Sequence, residues 1–275
     1  MVCRDFLEIR KQGFALGIKR NGQIIRDYQI VDQIWQGSTS AVYLARAVNY
    51  NPPYGIYVAV KILSSRRGAT NYIRQFQREA AIGSGLDHPN IVKVYELINH
   101  SDTLYLLMEY VRGKSLRQWS LERTFSFCEI CEIFRGMLSA LSYLEQKRII
   151  HKDIKPENIL ISEDLSQVKL TDFGYSVRDT FFRFDPFPYA GTQQYMAPER
   201  KTGKATARSD IYSLGKVIEE LLMKLNEYPN FILSILKNCV APDPSHRYMK
   251  AEVAKRDLDL LCDYYKKKHA IRDTV

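Results

Sequence analysis

The stretch IIHKDIKPENILI occupies residues 149–161, and the motif TDFG follows at 171–174. Together they bring two carboxylates, Asp153 and Asp172, and the amide of Asn158 into one short segment. Apolar residues flank the polar ones, a pattern that anchors a loop in a core while its polar side chains face a cleft. Carboxylate and amide oxygens suit magnesium, and a carboxylate can also accept a proton. The segment therefore predicts a site that holds a metal ion, a triphosphate and a hydroxyl group together.

In this order the two motifs resemble the catalytic loop and the metal-binding turn of the eukaryotic-type protein kinase family. The resemblance extends from about Tyr28 to about Tyr248, which is most of the chain. The segments ATARSDIYSLG and GTQQYMAPE are similar to those of bacterial members of the family. The resemblance implies ATP-dependent phosphorylation of Ser or Thr in protein substrates, the kinase itself included.

Strand-like runs fill the first part of the chain, and helical patterns dominate from Ser115 onward. The runs that predict strands are YQIVDQI from Tyr28, VYLARAV at 42–48, YVAVKIL at 57–63, IVKVYELI and TLYLLMEYV, with a helix at 71–83. Strands followed by helices predict an α+β chain with a small β-rich N-lobe and a larger α-helical C-lobe. The resemblance implies that this arrangement is the two-lobed protein kinase fold. We expect an N-terminal extension at 1–27 and a kinase domain at 28–275, divided into an N-lobe at 28–110 and a C-lobe at 111–275.

The resemblance also implies catalytic roles for five residues. Lys61, in the VAVK motif, would reach the nucleotide phosphates, and Glu79 on the predicted helix would hold it in place. Asp153 would accept the proton of the attacking hydroxyl, and Lys155 would neutralise the transferring phosphoryl group. Thr192 would bridge Asp153 and Lys155. Lys155 in DIKPEN and Thr192 in GTQQY both resemble the Ser/Thr branch of the family.

The expected ligands are ATP and Mg²⁺. Asn158 and Asp172 are the implied metal ligands, because they carry hard oxygens. The nucleotide would be bound by residues of the glycine loop, the strands around it, the hinge and the strand after the catalytic loop, namely Gly37, Val42, Ala59, Lys61, Met108, Glu109, Val111 and Leu160. Two further landmarks are Asp210, which would brace the catalytic loop, and Arg247, which would pair with Glu199 of the APE motif.

The phosphate-covering loop departs from the family pattern. WQGSTSAV at 35–42 keeps only Gly37 of three glycines, with Trp35 and Ser40 in the other two positions. Glycine there lets the backbone approach phosphates closely, so we expect weaker nucleotide handling. Trp35 has two interpretations: it lies over the edge of the nucleotide, or it is a tolerated side chain in an ordinary hairpin.

The catalytic loop reads His-Lys-Asp where the family has His-Arg-Asp. Lys152 keeps the positive charge of that arginine but cannot form its two parallel hydrogen bonds to a phosphate. The sequence therefore gives weaker support for activation by phosphorylation of the activation segment. Ser176 and Thr180 are the hydroxyls available early in the segment. The aromatic run FFRFDPFPYAG at 181–191 would pack on the kinase itself or on a partner.

Gly83 stands where the family has a bulky apolar residue, and Ile82 beside it is the candidate substitute. Without a substitute, we expect the helix that carries Glu79 to be mobile and to need a regulatory protein partner. A Lys61–Glu79 pair formed without any partner would contradict that hypothesis.

The net charge of +9 arises from 40 Lys and Arg against 31 Asp and Glu, and its clearest run is KKK at 266–268. No nucleic-acid motif accompanies this charge, so a solvated surface is the preferred interpretation and no nucleic-acid partner is expected. No apolar run is long enough for a membrane span, and the N-terminal segment is interrupted by charges. These features favour a cytoplasmic protein.

The five cysteines are an odd and scattered set, which favours reduced thiols over a disulfide framework. Cys128 and Cys131 form a C-x-x-C motif within a helical pattern, so helix packing is preferred over metal binding. Two functional alternatives stay open beside the active kinase. One is a kinase-fold scaffold that binds nucleotide and protein partners with weak or no catalysis, and the other is a small-molecule phosphotransferase.

Overall fold

The computed structural model describes residues 21–37, 39–63, 70–100, 103–179 and 189–270. In this part of the chain the N-lobe is one six-stranded antiparallel sheet in the order β1-β2-β3-β4-β6-β5. Its strands are β1 (Ile24–Ile25), β2 (Tyr28–Gln36), β3 (Ser40–Ala47), β4 (Tyr57–Leu63), β5 (Val94–His100) and β6 (Thr103–Glu109). The central strand β4 is buried from Val58 to Leu63, as its run of β-branched residues requires.

One helix, α1 (Thr70–Gly83), packs on this sheet against β4 and β5. Its buried residues recur on a single face: Phe76, Glu79, Ala80, Ile82 and Gly83. Helical periodicity therefore turns Glu79 toward β4, where Lys61 lies.

The C-lobe contains five helices in its described part, together with short strands that flank the catalytic segment. The helices are α2 (Leu116–Glu122), α3 (Phe127–Gln146), α4 (Ala207–Leu222), α5 (Phe231–Cys239) and α6 (Ala251–Ala270). The short strands are β7 (Gly113–Ser115), β8 (Ile149–Ile150), β9 (Ile159–Ser162), β10 (Val168–Leu170) and β11 (Val177–Arg178). Helix α3 packs on both α4 and α6, and ten residues of α4 are buried, six of them apolar members of this core.

The start of α3 is fixed by local chemistry. The Ser126 hydroxyl accepts a hydrogen bond from the Glu129 N–H, and the Glu129 carboxylate accepts one from the Ser126 N–H at 2.7 Å. This capping box satisfies two N–H groups that the first helical turn leaves unpaired. The capping box therefore fixes where α3 begins, and α3 packs against the short strands that flank the catalytic segment.

Backbone hydrogen bonds join the lobes beside the strand that leads to Asp172. The N–H of Val92 donates to the carbonyl of Leu170, and the N–H of Leu170 donates to the carbonyl of Asn90, both at 2.9 Å. The Asn90 side-chain amide also donates to the carbonyl of Val168 at 2.9 Å. The segment after α1 and the strand before the TDFG motif therefore form one unit.

The predicted α+β, two-lobed fold is confirmed. The run YVAVKIL forms β4 over the whole predicted range, and the helix predicted at 71–83 begins one residue earlier. The boundary between an extension at 1–27 and a kinase domain at 28–275 stays a prediction. None of the helices in the described ranges combines the length and the apolar character that a membrane crossing requires.

Candidate active site

Lys61 and Glu79 form a buried ion pair. Lys61 Nζ lies 2.5 Å from Glu79 Oε2, and both side chains are almost fully buried. The same ammonium group lies 3.4 Å from Asp172 Oδ1, so one cation links the N-lobe sheet, helix α1 and the TDFG turn. The pair forms within this chain, which counts against the hypothesis that α1 needs a partner to set it.

Charge and burial act against each other at this pair. Burial alone would lower the pKa of Lys61, but Asp172 and Glu79 outweigh it and the pKa is raised. Burial raises the pKa of Glu79 to about 7, with Lys61 opposing the rise. Lys61 therefore stays a cation at neutral pH, and the raised pKa of Glu79 means that its carboxylate form gains population as the pH rises.

Asp153 lies at the centre of a dense hydrogen-bond network. Its Oδ1 atom accepts hydrogen bonds from the N–H and the hydroxyl of Thr192, both at 3.0 Å. Its Oδ2 atom lies 2.7 Å from Lys155 Nζ, which also donates to the Thr192 hydroxyl at 3.1 Å. The Asn158 amide nitrogen donates to the Asp153 carbonyl at 2.8 Å and to Oδ2 at 3.2 Å. The predicted bridge by Thr192 is thus present.

The TDFG turn holds Asp172 in an unusual backbone conformation. Its φ is +67°, and its Oδ1 atom accepts a hydrogen bond from the Gly174 N–H at 3.3 Å. Burial would raise the pKa of Asp172, but Lys61, His151 and the Gly174 N–H outweigh it, and the pKa lies below its ordinary value. Asp172 is therefore a carboxylate at neutral pH, as a metal ligand must be.

Asp210 braces the catalytic loop from α4, as the sequence predicts. Its two carboxylate oxygens accept hydrogen bonds from the N–H groups of His151 at 2.7 Å and Lys152 at 2.9 Å. These bonds hold Lys152 at a φ of +73°, a conformation that side chains other than glycine rarely adopt. The shape of the loop therefore depends on a buried charge far away in sequence.

Ser176 is not an accessible hydroxyl. Its side chain is fully buried, and its hydroxyl donates to the carbonyl of His151 at 3.2 Å. The sequence expectation that Ser176 is an available site in the activation segment is therefore corrected. Thr180 and residues 181–188 lie outside the described residues, so the packing of the aromatic run stays a prediction.

The apolar residues predicted to contact the nucleotide lie in one cluster. Val42, Ala59, Met108, Val111 and Leu160 pack together, with Ala59 opposite Met108 in the β4–β6 ladder. These residues come from four strands and the hinge, so the cluster lines the junction between the lobes. All five were predicted as nucleotide contacts from the family resemblance.

Trp35 folds back onto Gly37 in the loop between β2 and β3. A β-carbon at position 37 would stand 2.1 Å from the end of the Trp35 ring, so a side chain there would require this half-exposed tryptophan to move. The Gly37 N–H donates to the Ser40 carbonyl at 2.9 Å, which closes the turn. The one retained glycine therefore accommodates the tryptophan that replaces another.

Two interactions near the site were not anticipated. Lys169, on the strand before Asp172, pairs with Glu109 of the hinge at 2.9 Å. Glu109 also accepts a hydrogen bond from the Lys93 N–H at 3.1 Å, so its carboxylate ties three segments together. The sequence offers only a lysine three positions before Asp172, and its partner cannot be inferred without knowing where the strands lie.

The second is a cluster around Arg117 of α2. Its guanidinium contacts Glu157 at 2.9 Å, Glu220 at 2.5 Å and the Tyr195 hydroxyl at 2.5 Å. Glu157 neighbours Asn158, and Tyr195 lies three residues after Thr192. This cluster therefore joins the catalytic loop to the segment that carries Thr192.

Arg247 pairs with Glu199 through two hydrogen bonds, at 2.7 and 2.8 Å, as the sequence predicts. Helix α3 carries both residues of the C-x-x-C motif, with Cys131 buried and Cys128 exposed. Within the described ranges, no group of three or more His, Cys, Asp and Glu side chains is arranged to hold a metal ion.

Comparisons with known proteins agree with this geometry. A sequence model described as the protein kinase domain matches residues 28–232. The chain is 33% identical over 267 residues to the serine/threonine-protein kinase PrkC of Bacillus subtilis, which covers 86% of this chain and 40% of PrkC. It is 36% identical over 216 residues to human 3-phosphoinositide-dependent protein kinase 1, which covers 74% of this chain and 37% of that protein. The chain thus spans about two fifths of the length of these relatives.

The fold is also found among solved structures. The kinase domain of Mycobacterium tuberculosis PknI superposes with a TM-score of 0.68 at 22% sequence identity, covering 89% of this chain and 99% of that chain. At this identity the likeness concerns the fold, while the sequence matches carry the family. The chain belongs to the protein kinase family, as its motifs around Asp153 and Asp172 predict.

Proposed function

We propose that this protein transfers the γ-phosphoryl group of ATP to Ser and Thr hydroxyls of protein substrates, its own chain included. The observation that carries the proposal is the arrangement at Asp153, where a carboxylate, an ammonium and a threonine lie within 3.1 Å of one another. Phosphoryl transfer needs positioning and charge neutralisation more than covalent chemistry. This site supplies both.

On the acceptor side, Asp153 would receive the proton of the incoming hydroxyl. Lys155 would neutralise charge on the transferring group, and its own pKa supports this role. Burial would lower the pKa of Lys155, but Asp153 outweighs it and the pKa is raised, so Lys155 stays cationic. Thr192 would keep Asp153 and Lys155 at the right separation before the substrate arrives.

On the nucleotide side, Lys61 would contact the phosphates, and Glu79 would hold it there. Adenine would lie in the apolar cluster of Val42, Ala59, Met108, Val111 and Leu160. The N–H of Glu109 donates to the carbonyl of Lys93 at 2.8 Å, so hinge recognition would use the carbonyl of Glu109 and the backbone of Val111. Gly37 would bring the loop backbone close to the phosphates.

The site also fits magnesium. Asp172 is a carboxylate with a lowered pKa, and Asn158 directs its amide nitrogen at Asp153, which fixes its oxygen as the free acceptor. These two hard oxygens would hold Mg²⁺, which supplies neutralisation of phosphate charge when it is bound. A cytoplasmic location completes the proposal, since Cys128, Cys131, Cys239 and Cys262 are thiols rather than disulfides.

Incubation of the purified protein with ATP and Mg²⁺, followed by mass spectrometry for phosphorylated residues, tests the proposal. The variant is Asp153→Asn, and the matched control is Asp164→Asn in the exposed turn between β9 and β10. We expect phosphoserine or phosphothreonine in the parent and the control, and none in Asp153→Asn.

Two outcomes would contradict the proposal. No phosphate in any sample, with ATP still raising the melting temperature, would favour the scaffold interpretation. Phosphate on added small alcohols but on no protein would favour a small-molecule phosphotransferase. The degenerate glycine loop, with Trp35 on Gly37, is the feature that keeps the scaffold in consideration.

A further inference from the structure

Arg200 follows the APE motif and is buried to 2% exposure. It is among the largest fully buried side chains in the part of the chain that the structure describes. Burial of a charged group is costly unless it is paired and hydrogen-bonded. The contacts of this guanidinium therefore indicate what it does.

One contact reaches the segment just before Thr192. Nη2 of Arg200 donates a hydrogen bond to the carbonyl oxygen of Ala190. The next residue, Gly191, has a φ of +131°. A β-carbon at position 191 would stand 2.8 Å from the Lys152 carbonyl and 3.8 Å from Arg200 Nη2. The chain at 190–191 is thus confined between Lys152 of the catalytic loop and Arg200.

Arg200 also lies beside the brace of the catalytic loop. Burial raises the pKa of Asp210, and the positive charge of Arg200 is among the groups that oppose this rise. Asp210 holds the N–H groups of His151 and Lys152. The Arg200 guanidinium therefore lies between the two segments that meet at Asp153.

We propose that Arg200 is a positioning residue that fixes the Ala190–Gly191 step, and through it places Thr192 on Asp153 for the acceptor hydroxyl. The proposal rests on the proposed kinase function. Thr192 has both its N–H and its hydroxyl on Asp153 Oδ1, so a shift at Ala190 moves both donors together. The Lys61 ammonium donates to Glu79 on α1 and to Asp172 in the TDFG turn, rather than to the segment at 190–192.

This separation gives the proposal a kinetic signature. Loss of the Arg200 contact should impair use of the protein acceptor while nucleotide binding is kept. A displacement of about 1 Å in a catalytic group costs up to about 100-fold in rate, so we expect a loss of about 10-fold to 100-fold in kcat/KM for the acceptor. The KM for ATP should stay within about two-fold.

The test compares Arg200→Gln, Arg200→Lys and the control Arg208→Gln. Arg208 also donates to a backbone carbonyl, that of Pro244 at 2.9 Å, and is not part of the site. The first measurement is amide hydrogen exchange of a peptide that covers residues 189–196. The second is steady-state kinetics with ATP and a casein acceptor. We expect faster exchange and the acceptor-specific loss in Arg200→Gln, partial recovery in Arg200→Lys, and neither effect in Arg208→Gln.

A second variant approaches the same step from the other side. Gly191→Ala introduces a β-carbon against the Lys152 carbonyl and should produce the same phenotype, with a double variant no worse than either single one. If Arg200→Gln fails to fold, Gly191→Ala and Arg200→Lys carry the test alone.

Unchanged exchange at 189–196 in Arg200→Gln, or an equal rise in the KM for ATP, would overturn the positioning role. A parent protein that transfers no phosphate, with exchange that still increases in Arg200→Gln, would overturn the proposed function and leave the structural role of Arg200 supported. The two failures are therefore distinguishable.

Discussion

Gly83 lies so close to Val94 that a β-carbon at position 83 would stand 2.5 Å from Val94 Cγ2. Helix α1 therefore approaches β5 more closely than any other residue at position 83 permits. We expect Gly83→Ala to destabilise the protein by about 1–3 kcal/mol, because overpacking outweighs the gain in helix propensity. Val94→Ala should relieve the clash, so that the double variant is more stable than the sum of the single effects predicts. Urea denaturation of the four proteins measures this coupling, and strict additivity would contradict the steric explanation.

Loss of the Glu79 carboxylate should release Lys61. Glu79→Gln keeps the size of the side chain and removes the charge that holds the Lys61 ammonium at 2.5 Å. We expect kcat/KM for ATP to fall by about 100-fold or more, as for other preorganised charges in active sites. Steady-state kinetics checks this, with Glu96→Gln on β5 as a control, since Glu96 forms a surface ion pair with Arg26. An equal loss in both variants would point to a general effect of charge.

The Arg247–Glu199 pair should make stability depend on pH. Burial would raise the pKa of Glu199, but hydrogen bonds from Arg247 and Ser209 outweigh it, and the pKa lies below its ordinary 4.5. A carboxyl with a depressed pKa contributes stability above the unfolded pKa, and this contribution is lost as pH falls through the folded pKa. We expect unfolding free energies of the parent to drop in acid with a steeper slope than those of Glu199→Gln. Parallel slopes would contradict this prediction.

The same pair should be a large contributor to stability at neutral pH. The Arg247 side chain has no exposed surface, and it donates to Glu199 through both terminal nitrogens. Removing one partner of a buried pair costs about 3–5 kcal/mol, so Arg247→Met should be strongly destabilised. Arg247→Lys should recover only part of this loss because an ammonium lacks the fork. Urea denaturation ranks the three proteins, and equal stability of the lysine variant and the parent would argue against the fork.

Trp35 should report nucleotide binding by its fluorescence. It is half exposed and rests on Gly37, in the loop that would cover the phosphates. We expect ATP with Mg²⁺ to change the tryptophan emission of the parent, and Trp35→Phe to abolish that change. Trp119, the other tryptophan, donates to the Ile161 carbonyl and should be silent, so Trp119→Phe serves as the control. A response that survives in Trp35→Phe would mean that the loop does not meet the nucleotide.

Short sequence motifs predicted those parts of the site whose residues lie close together in the sequence. Asp153, Lys155 and Asn158 lie on one short loop, so their side chains are close together in any structure in which this motif is folded. The pairing of Lys61 with Glu79 was predicted from the family resemblance, while periodicity predicted only the strand and the helix that carry them. The loop residues needed local structure alone, and the ion pair needed the resemblance.

Predictions failed where a residue's meaning depends on distant packing. Gly83 suggested a mobile helix until Val94 was found against it. Ser176 looked like an available hydroxyl until its burial against His151 was seen. Nothing in the sequence indicated a role for Arg200, because an arginine after the APE motif is expected to be an exposed charge. In the structure the chain at Ala190 packs against it. In each case the contact that determines the residue's role is with a backbone atom or a side chain from another segment of the chain.

The brace of Asp210 on the catalytic loop has a consequence for the order of assembly. The N–H groups that it holds belong to His151 and Lys152, and Asp210 is made 59 residues after His151 during synthesis. A nascent chain that ends before α4 therefore has the proposed metal ligands and the proposed base, but not the carboxylate that holds the N–H group of Lys152, whose φ is positive. Because domains emerge from the ribosome N-terminus first, catalytic competence must be acquired late, after the C-lobe core has closed. A truncated product that ends before Asp210 would lack both hydrogen bonds to the catalytic loop, so we expect it to have no kinase activity.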